Sequence, residues 1–159
     1  MDWNHSLFTY NSAIKEMVAA WKYRGDYQIG SIFKAAMTTS YQRKFSTIHK
    51  DHKEMLAVPI PLSQERMNER GFNQAQMLAE YLPLKTASVL TRHHGEKQSK
   101  KSRAERVGTK NPFEVKRQLN KPVVLVDDIY TTGTTLRHAA ELLKQNDCPA
   151  VYSLTLIRS

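Results

Sequence analysis

Apolar residues recur at helical spacing in four stretches. Ile14, Met17, Val18 and Trp21 follow Asn11-Ser12, a good cap, which predicts a helix ended by Gly25. Ile29, Ile32, Phe33, Ala36 and Met37 repeat the pattern in a second helical stretch. Ala75, Leu78, Ala79 and Leu82 run i, i+3, i+4, i+7, with Pro83 beyond the end. Leu136, Ala139, Ala140 and Leu143 mark one face of a last helix, stopped by Asn146-Asp147 and Pro149. A short helical turn, capped by Ser63 and broken by Gly71, is expected ahead of the third helix.

Strands read differently. Met55 to Ile60 is a strand leading into Pro59-Ile60-Pro61, where the prolines should forbid further ladder pairing and turn the chain. Ala87 to Leu90 is a short candidate. Val123-Val124-Leu125-Val126 is a continuous apolar run, as in a strand buried on both faces of a parallel sheet, and Val151 to Ile157 is another strand. The last three elements make a strand–helix–strand unit, hence a parallel crossover and an α/β fold. His93 to Pro112 shows no periodicity; a loop that long in a compact domain is usually functional or disordered.

Composition narrows the class. A length of 159 residues suits one domain over residues 1–159, and 40% hydrophobic with 25% charged residues is ordinary globular usage. No apolar run reaches a membrane span and the start lacks a signal-peptide layout, so a soluble, cytoplasmic protein without membrane contact is expected. Cys148 stands alone, which excludes an internal disulfide and a cysteine-based zinc site. The net charge of +9 is local: Lys85 to Lys121 holds eleven basic residues against three acids. Such clustering attracts polyanions, although a solvated loop that keeps the protein soluble reads the same way. Nine of the fourteen aromatics lie between Trp3 and Phe45; a core covered by amphipathic helices is favoured there over a stacking surface for bases.

The chemistry concentrates after the buried strand, in Asp127-Asp128-Ile129-Tyr130-Thr131-Thr132-Gly133-Thr134-Thr135. Two carboxylates at the carboxyl end of a parallel strand sit where α/β sheets bind ligands. The small hydroxylated loop opens a helix whose N–H groups and dipole favour an anion, with Gly133 allowing close backbone approach. A monophosphate cradle beside acceptors for hydroxyls, or for a divalent metal, describes a ribose 5-phosphate site. A Walker loop would need a lysine here, and a dinucleotide fingerprint more glycines. The bland alternative is a threonine capping a helix below solvated aspartates.

The stretch Val123 to Thr135 resembles the signature by which type I phosphoribosyltransferases bind phosphoribosyl pyrophosphate (PRPP). Pro59-Ile60-Pro61-Leu62-Ser63, then Arg66 and Arg70-Gly71-Phe72-Asn73-Gln74-Ala75, with Trp21-Lys22-Tyr23-Arg24-Gly25-Asp26-Tyr27 upstream, is similar to the ComF/ComFC competence proteins. Gln98-Ser99, Arg103-Ala104-Glu105-Arg106 and Asn111-Pro112-Phe113 extend the likeness. The resemblance implies a Rossmann-like parallel sheet flanked by helices, with a hood segment. It implies Asp127 and Asp128 as catalytic residues meeting the ribose hydroxyls, and Thr131, Thr132, Gly133, Thr134 and Thr135 holding the 5-phosphate. Pro59, Ile60 and Pro61 would bind pyrophosphate, joined by Arg66 and Arg70. Arg92, Lys97, Lys100, Lys101, Arg103 and Arg106 would form the flexible loop and meet nucleic acid. Mg2+ would accompany PRPP. Many members begin with a four-cysteine zinc module, which a chain with one cysteine does not contain, so no structural zinc is expected.

Two roles follow from the resemblance. One is a competence factor handling single-stranded DNA in natural transformation, beside a helicase and other uptake proteins. The other is an active transferase from PRPP in nucleotide metabolism. Three further features are weighed singly. Glu65 and Glu69 offer Arg66 and Arg70 ordinary surface pairs instead of a ligand. His93-His94 could act as acids, although loop histidines are more often solvated. Cys148 reads as inert.

Overall fold

The computed structural model describes residues 1–23, 27–52, 54–93 and 111–159. Five strands form one parallel sheet: β1 (Trp3–Thr9), β2 (Leu56–Pro59), β3 (Lys85–Thr86), β6 (Val123–Tyr130) and β7 (Val151–Arg158). Their order is β1-β7-β6-β2-β3, so β6, with its buried run Val123 to Val126, lies at the centre. Two short antiparallel strands, β4 (Leu90–Arg92) and β5 (Phe113–Val115), stand apart as a small hood.

Successive residues of β6 point to opposite faces, and each face has its own core. Val124 and Val126 pack with Trp21, Met37, Phe45 and Leu78, from helices α1 (Ser12–Tyr23), α3 (Lys34–Asp51) and α5 (Gln74–Glu80). Val123 and Leu125 pack with Leu136, Ala139, Ala140 and Leu143 of α6 (Thr134–Gln145), whose apolar face is the one read from sequence. The buried run from Val123 to Val126 therefore feeds two cores at once.

Several expectations are corrected. The strand β1 has no counterpart in the hydrophobic pattern, because it is a half-exposed edge strand. Its polar residues are used against β7: Asn4 Oδ1 accepts from Ser153 Oγ at 2.7 Å, and the hydroxyls of Ser6 and Thr155 meet at 2.7 Å. The second helical stretch divides into α2 (Ile29–Ile32) and α3, which meet at Phe33. Gly30 lets α2 approach closely, since a Cβ there would collide with Met77 and press on the Trp21 ring. Of the strand expected at Ala87 to Leu90, residues 87–89 are a gap between β3 and β4 and only Leu90 is in a strand, as the first residue of β4, although Ala87 N–H still bonds Ala57 O at 2.8 Å.

Pairing does not stop at the prolines either. Pro59 stays opposite Val126, and Ile60 N–H bonds Val126 O at 2.9 Å. A central strand tolerates this proline because β3, on the other side, is paired only at Leu56 and Ala57, so no partner there needs the missing donor. Of the nine N-terminal aromatics, Trp21, Phe33, Tyr41 and Phe45 are buried, whereas Trp3, Phe8, Tyr10, Tyr23 and Tyr27 are exposed. No helix among the described residues is long and apolar enough to cross a membrane.

Candidate functional site

Connectivity opens a crevice between β2 and β6. These neighbours lead away from each other, β2 to β3 on one side and β6 to β7 on the other. At such a reversal the loops after the two strands splay apart, and ligands of open α/β sheets bind there. A cleft of about 260 Å³ lies at this point, lined by Ile60, Pro61 and Leu62 after β2 and by Asp127, Asp128 and Ile129 of β6. Lys22, Arg66, Arg70, Arg92 and Thr135 complete it.

The acid pair sits inside β6, which runs on to Tyr130, rather than in the loop beyond. Asp127 Oδ1 accepts the Asp128 N–H at 2.9 Å, which turns its carboxylate back along the strand. Enclosure below the cleft pushes the Asp127 carboxyl well above its ordinary range, and the Asp128 charge adds to this. The Asp128 N–H and the Lys22 charge pull the other way. Asp128 forms an ion pair with Lys22, and their side chains are 13% and 12% exposed.

Across the loop, α6 begins unusually open. Its cap residue is Gly133, at φ +73°, which contributes no side-chain bond. Thr134 N–H reaches only Thr132 Oγ1, at 3.4 Å, and that hydroxyl is 2.9 Å from Thr134 Oγ1. The first-turn N–H groups are therefore available to an anion. The glycine has a second cause beyond ligand approach: a Cβ here would lie 2.5 Å from the Tyr130 hydroxyl. The Tyr130 ring is itself held under the Arg158 guanidinium, 5.5 Å from its centroid.

The opposite wall comes from β2, α4 (Gln64–Arg70) and α5. Ser63 caps α4, its Oγ accepting from Arg66 N at 3.3 Å, and Gly71 ends it in the left-handed region at φ +75°. Asn73 then does two jobs. Its Oδ1 caps α5 through Ala75 N at 3.0 Å, and its Nδ2 donates to Ile60 O at 3.0 Å, pinning the Pro59–Pro61 loop. Arg70 Nη1 donates to Oε1 of the buried Gln74 at 3.0 Å, and its guanidinium lies 5.7 Å from the Tyr23 ring centroid. The guanidinium is thus held in place before any ligand arrives. Arg92, on β4, lies over the Phe113 ring at 5.5 Å. Burial pushes its pKa below the ordinary value, Arg66 adds to this, and Asp127 opposes it. Four cations against two carboxylates leave the cleft positive.

Of the residues expected at the site, the cleft brings together Ile60, Pro61, Arg66, Arg70, Arg92, Asp127, Asp128 and Thr135. Pro59 is buried within β2, Gly133 is buried beside Tyr130, and Thr131, Thr132 and Thr134 are exposed at the α6 start without lining the cleft. Arg92 belongs to a strand rather than to a loop. Among the described residues Arg66 and Arg70 form no ion pair with Glu65 or Glu69. His93 pairs with Glu114 at 2.8 Å on the surface. Cys148 is buried and unpaired. Lys97, Lys100, Lys101, Arg103, Arg106 and His94 lie outside the described residues. Lys22, Asn73 and Gln74 carry roles that the sequence reading did not assign. The signals for Lys22 are its place in the family-like stretch Trp21 to Tyr27 and at the C-terminal end of an amphipathic helix, next to a core tryptophan.

The phosphoribosyl transferase domain family matches residues 68–159. The competence protein ComFC of Bacillus subtilis is 43% identical over 159 residues, covering 98% of this chain and 64% of that protein. ComFC of Streptococcus pneumoniae is 33% identical over 157 residues, covering 98% of this chain and 68% of its own. The DNA utilization protein YhgH of Escherichia coli is 32% identical over 110 residues, 64% of this chain and 48% of that one. The chain thus spans about two thirds of the length of the ComFC relatives it matches. The chain is a member of the ComF/ComFC family, with a phosphoribosyltransferase-type fold.

Proposed function

We propose that the cleft binds PRPP or ribose 5-phosphate, and that the protein uses this site in handling DNA during natural transformation. The observation that carries the reading is one cleft lined by an acid pair and three arginines, with the open start of α6 at its edge through Thr135. The 5-phosphate would meet the α6 start at Gly133 to Thr135, where main-chain donors are free. The ribose hydroxyls would donate to Asp127 and Asp128. The pyrophosphate would lie against Ile60 and Pro61, facing Arg66, Arg70 and Arg92, whose forked donors suit phosphate oxygens. The names of the relatives, competence and DNA utilization, support the cellular role.

The donor set fits Mg2+ arriving with the ligand. Among the described residues no three acids, histidines or cysteines gather into a cage, and two carboxylates plus substrate phosphates are the usual Mg2+ environment. The ion would neutralise pyrophosphate charge. The protein residues would orient the ribose and shield it from water.

A second reading, transfer of the phosphoribosyl group to an acceptor, is favoured by the same acid pair. Single-stranded DNA would meet the basic segment from Lys97 to Arg106, which supplies much of the local charge surplus. Calorimetric titration with PRPP and Mg2+, repeated with a short single-stranded DNA, tests both ligands. Absence of any heat with PRPP at saturating Mg2+ would overturn the ligand assignment. Robust pyrophosphate release with an ordinary nucleobase would put the enzyme reading first.

A further inference from the structure

Among the described cations lining the cleft, Lys22 alone forms an ion pair, and its partner is the carboxylate of Asp128. Both side chains are nearly enclosed, so salt screens the pair weakly. The lysine is not a wandering surface cation. Trp21, the residue before it, is fully buried and anchors this end of α1 in the core.

Two adjacent carboxylates, one enclosed below a cleft, are a natural seat for a hard divalent cation. No third acid, histidine or cysteine of the described residues joins them, so whatever cation sits there must win those two groups. An ammonium tethered by its own helix competes at high effective concentration. We propose that Lys22 is the resident counter-ion of the acid pair. Its ammonium holds the place beside Asp128 in the empty site and keeps a free divalent cation out. Metal then enters only with an anionic ligand, whose phosphates offer Lys22 a new partner within the same cleft and release Asp128. Arg66, Arg70 and Arg92 act in the same sense, repelling a bare cation and attracting one that arrives with phosphate. The inference rests on the reading of Asp127 and Asp128 as the cation and hydroxyl end of the site, and not on the identity of the ligand.

The probe is Mn2+ alone, without any phosphorylated compound, with the free ion followed by paramagnetic resonance at mildly alkaline pH. Wild type and Lys22→Arg are expected to bind Mn2+ weakly. Lys22→Met should bind it about tenfold more tightly or better, a difference of about 1.4 kcal/mol or more. Adding Asp128→Asn to Lys22→Met should remove the gain. Circular dichroism melting establishes that each variant folds, and Lys22→Gln replaces the methionine variant if that one does not. An unchanged Mn2+ affinity on loss of Lys22, or a gain that survives Asp128→Asn, overturns the proposal. Failure of wild type to bind PRPP would overturn the proposed function instead and leave the Mn2+ result readable.

Discussion

Helices α4 and α6 both begin at the cleft, each directly after a central strand, but their first turns are built in opposite ways. Helix α4 is closed by its own Ser63 side chain and carries Arg66 and Arg70. Helix α6 starts at a glycine without a side-chain bond and has no acid in its first turn. One wall therefore offers side-chain cations, and the other offers main-chain donors. A wall of main-chain donors depends on backbone conformation and hardly on charge. A wall of guanidinium groups depends on charge, salt and the residues that hold the groups still. Substitutions that attack conformation on one side and charge on the other separate the two.

The largest effect is expected from Gly133→Val. At φ +73° a side chain costs about 1–2 kcal/mol in backbone strain, and its Cβ would also strike the Tyr130 ring. For a domain of this size each kcal/mol lowers the melting temperature by roughly 2–4 °C. Saturating PRPP should add about 2.7 kcal/mol to wild type at 100 times its dissociation constant, and nothing to the variant. Thermal melts with and without PRPP read both numbers. A variant that melts lower yet keeps the full ligand shift would show that the α6 start is not the phosphate cradle.

On the other wall, Arg70→Ala should weaken PRPP binding by about 10- to 100-fold, from roughly 1.5–3 kcal/mol per charge-assisted bond. Arg66→Ala should cost less, because Arg66 is exposed and has no counterpart to Gln74. Both losses should shrink as salt rises, whereas the loss in Gly133→Val should not. Calorimetry at two ionic strengths decides. Equal salt dependence in all three variants would erase the distinction between the walls.

The wall with the stronger local pattern was the more legible. Val123 to Val126 and the Leu136–Leu143 face are dictated by burial on two sides and one side, so hydrophobic spacing alone places them, and the acid pair with its open helix start follows. The α5 face is legible for the same reason, and Ser63 and Gly71 are legible as the cap and the breaker of a short helix. The edge strand β1 was not, because it satisfies its polar residues across the sheet and leaves no alternation of apolar residues. Lys22 was not, because its partner is 106 positions away and only the packing of α1 brings them together. Gln74 was not, because a buried glutamine is recognisable only once the arginine it holds is in place. Arg92 was assigned to a loop since β5, which pairs its strand, is only three residues long.

Asp127 supplies a smaller test, within the main-chain wall. Its folded pKa lies above the ordinary carboxylate value that the unfolded chain approaches. Between the two values the native state holds a proton that the unfolded state has lost, so stability falls as pH rises through this window. Asp127→Asn carries no such proton. It should remove that part of the pH slope, melt above wild type at neutral pH without ligand, and bind PRPP about tenfold more weakly for want of a charged acceptor. Melting curves across the acidic to neutral range check the sign. A variant less stable than wild type at neutral pH would mean that Lys22 and the Asp128 N–H outweigh the cost of enclosing the charge.

Ser63→Ala should have the smallest effect on the ligand and so sharpens the comparison most finely. Removing a capping hydroxyl costs about 0.5–2 kcal/mol of stability, which corresponds to a few degrees of melting temperature. The helix it caps has only seven residues, and its Arg66 N–H is already turned to the serine rather than to the cleft. Arg70 is fixed from the far end by Gln74 and Tyr23, and the Ile60 carbonyl is pinned by Asn73; neither depends on the cap. The variant should therefore melt lower while the PRPP-induced shift stays at the wild-type value. A drop in that shift comparable to the loss in Arg70→Ala would mean that the α4 start is itself a phosphate seat, and that both walls of the cleft bind through the main chain.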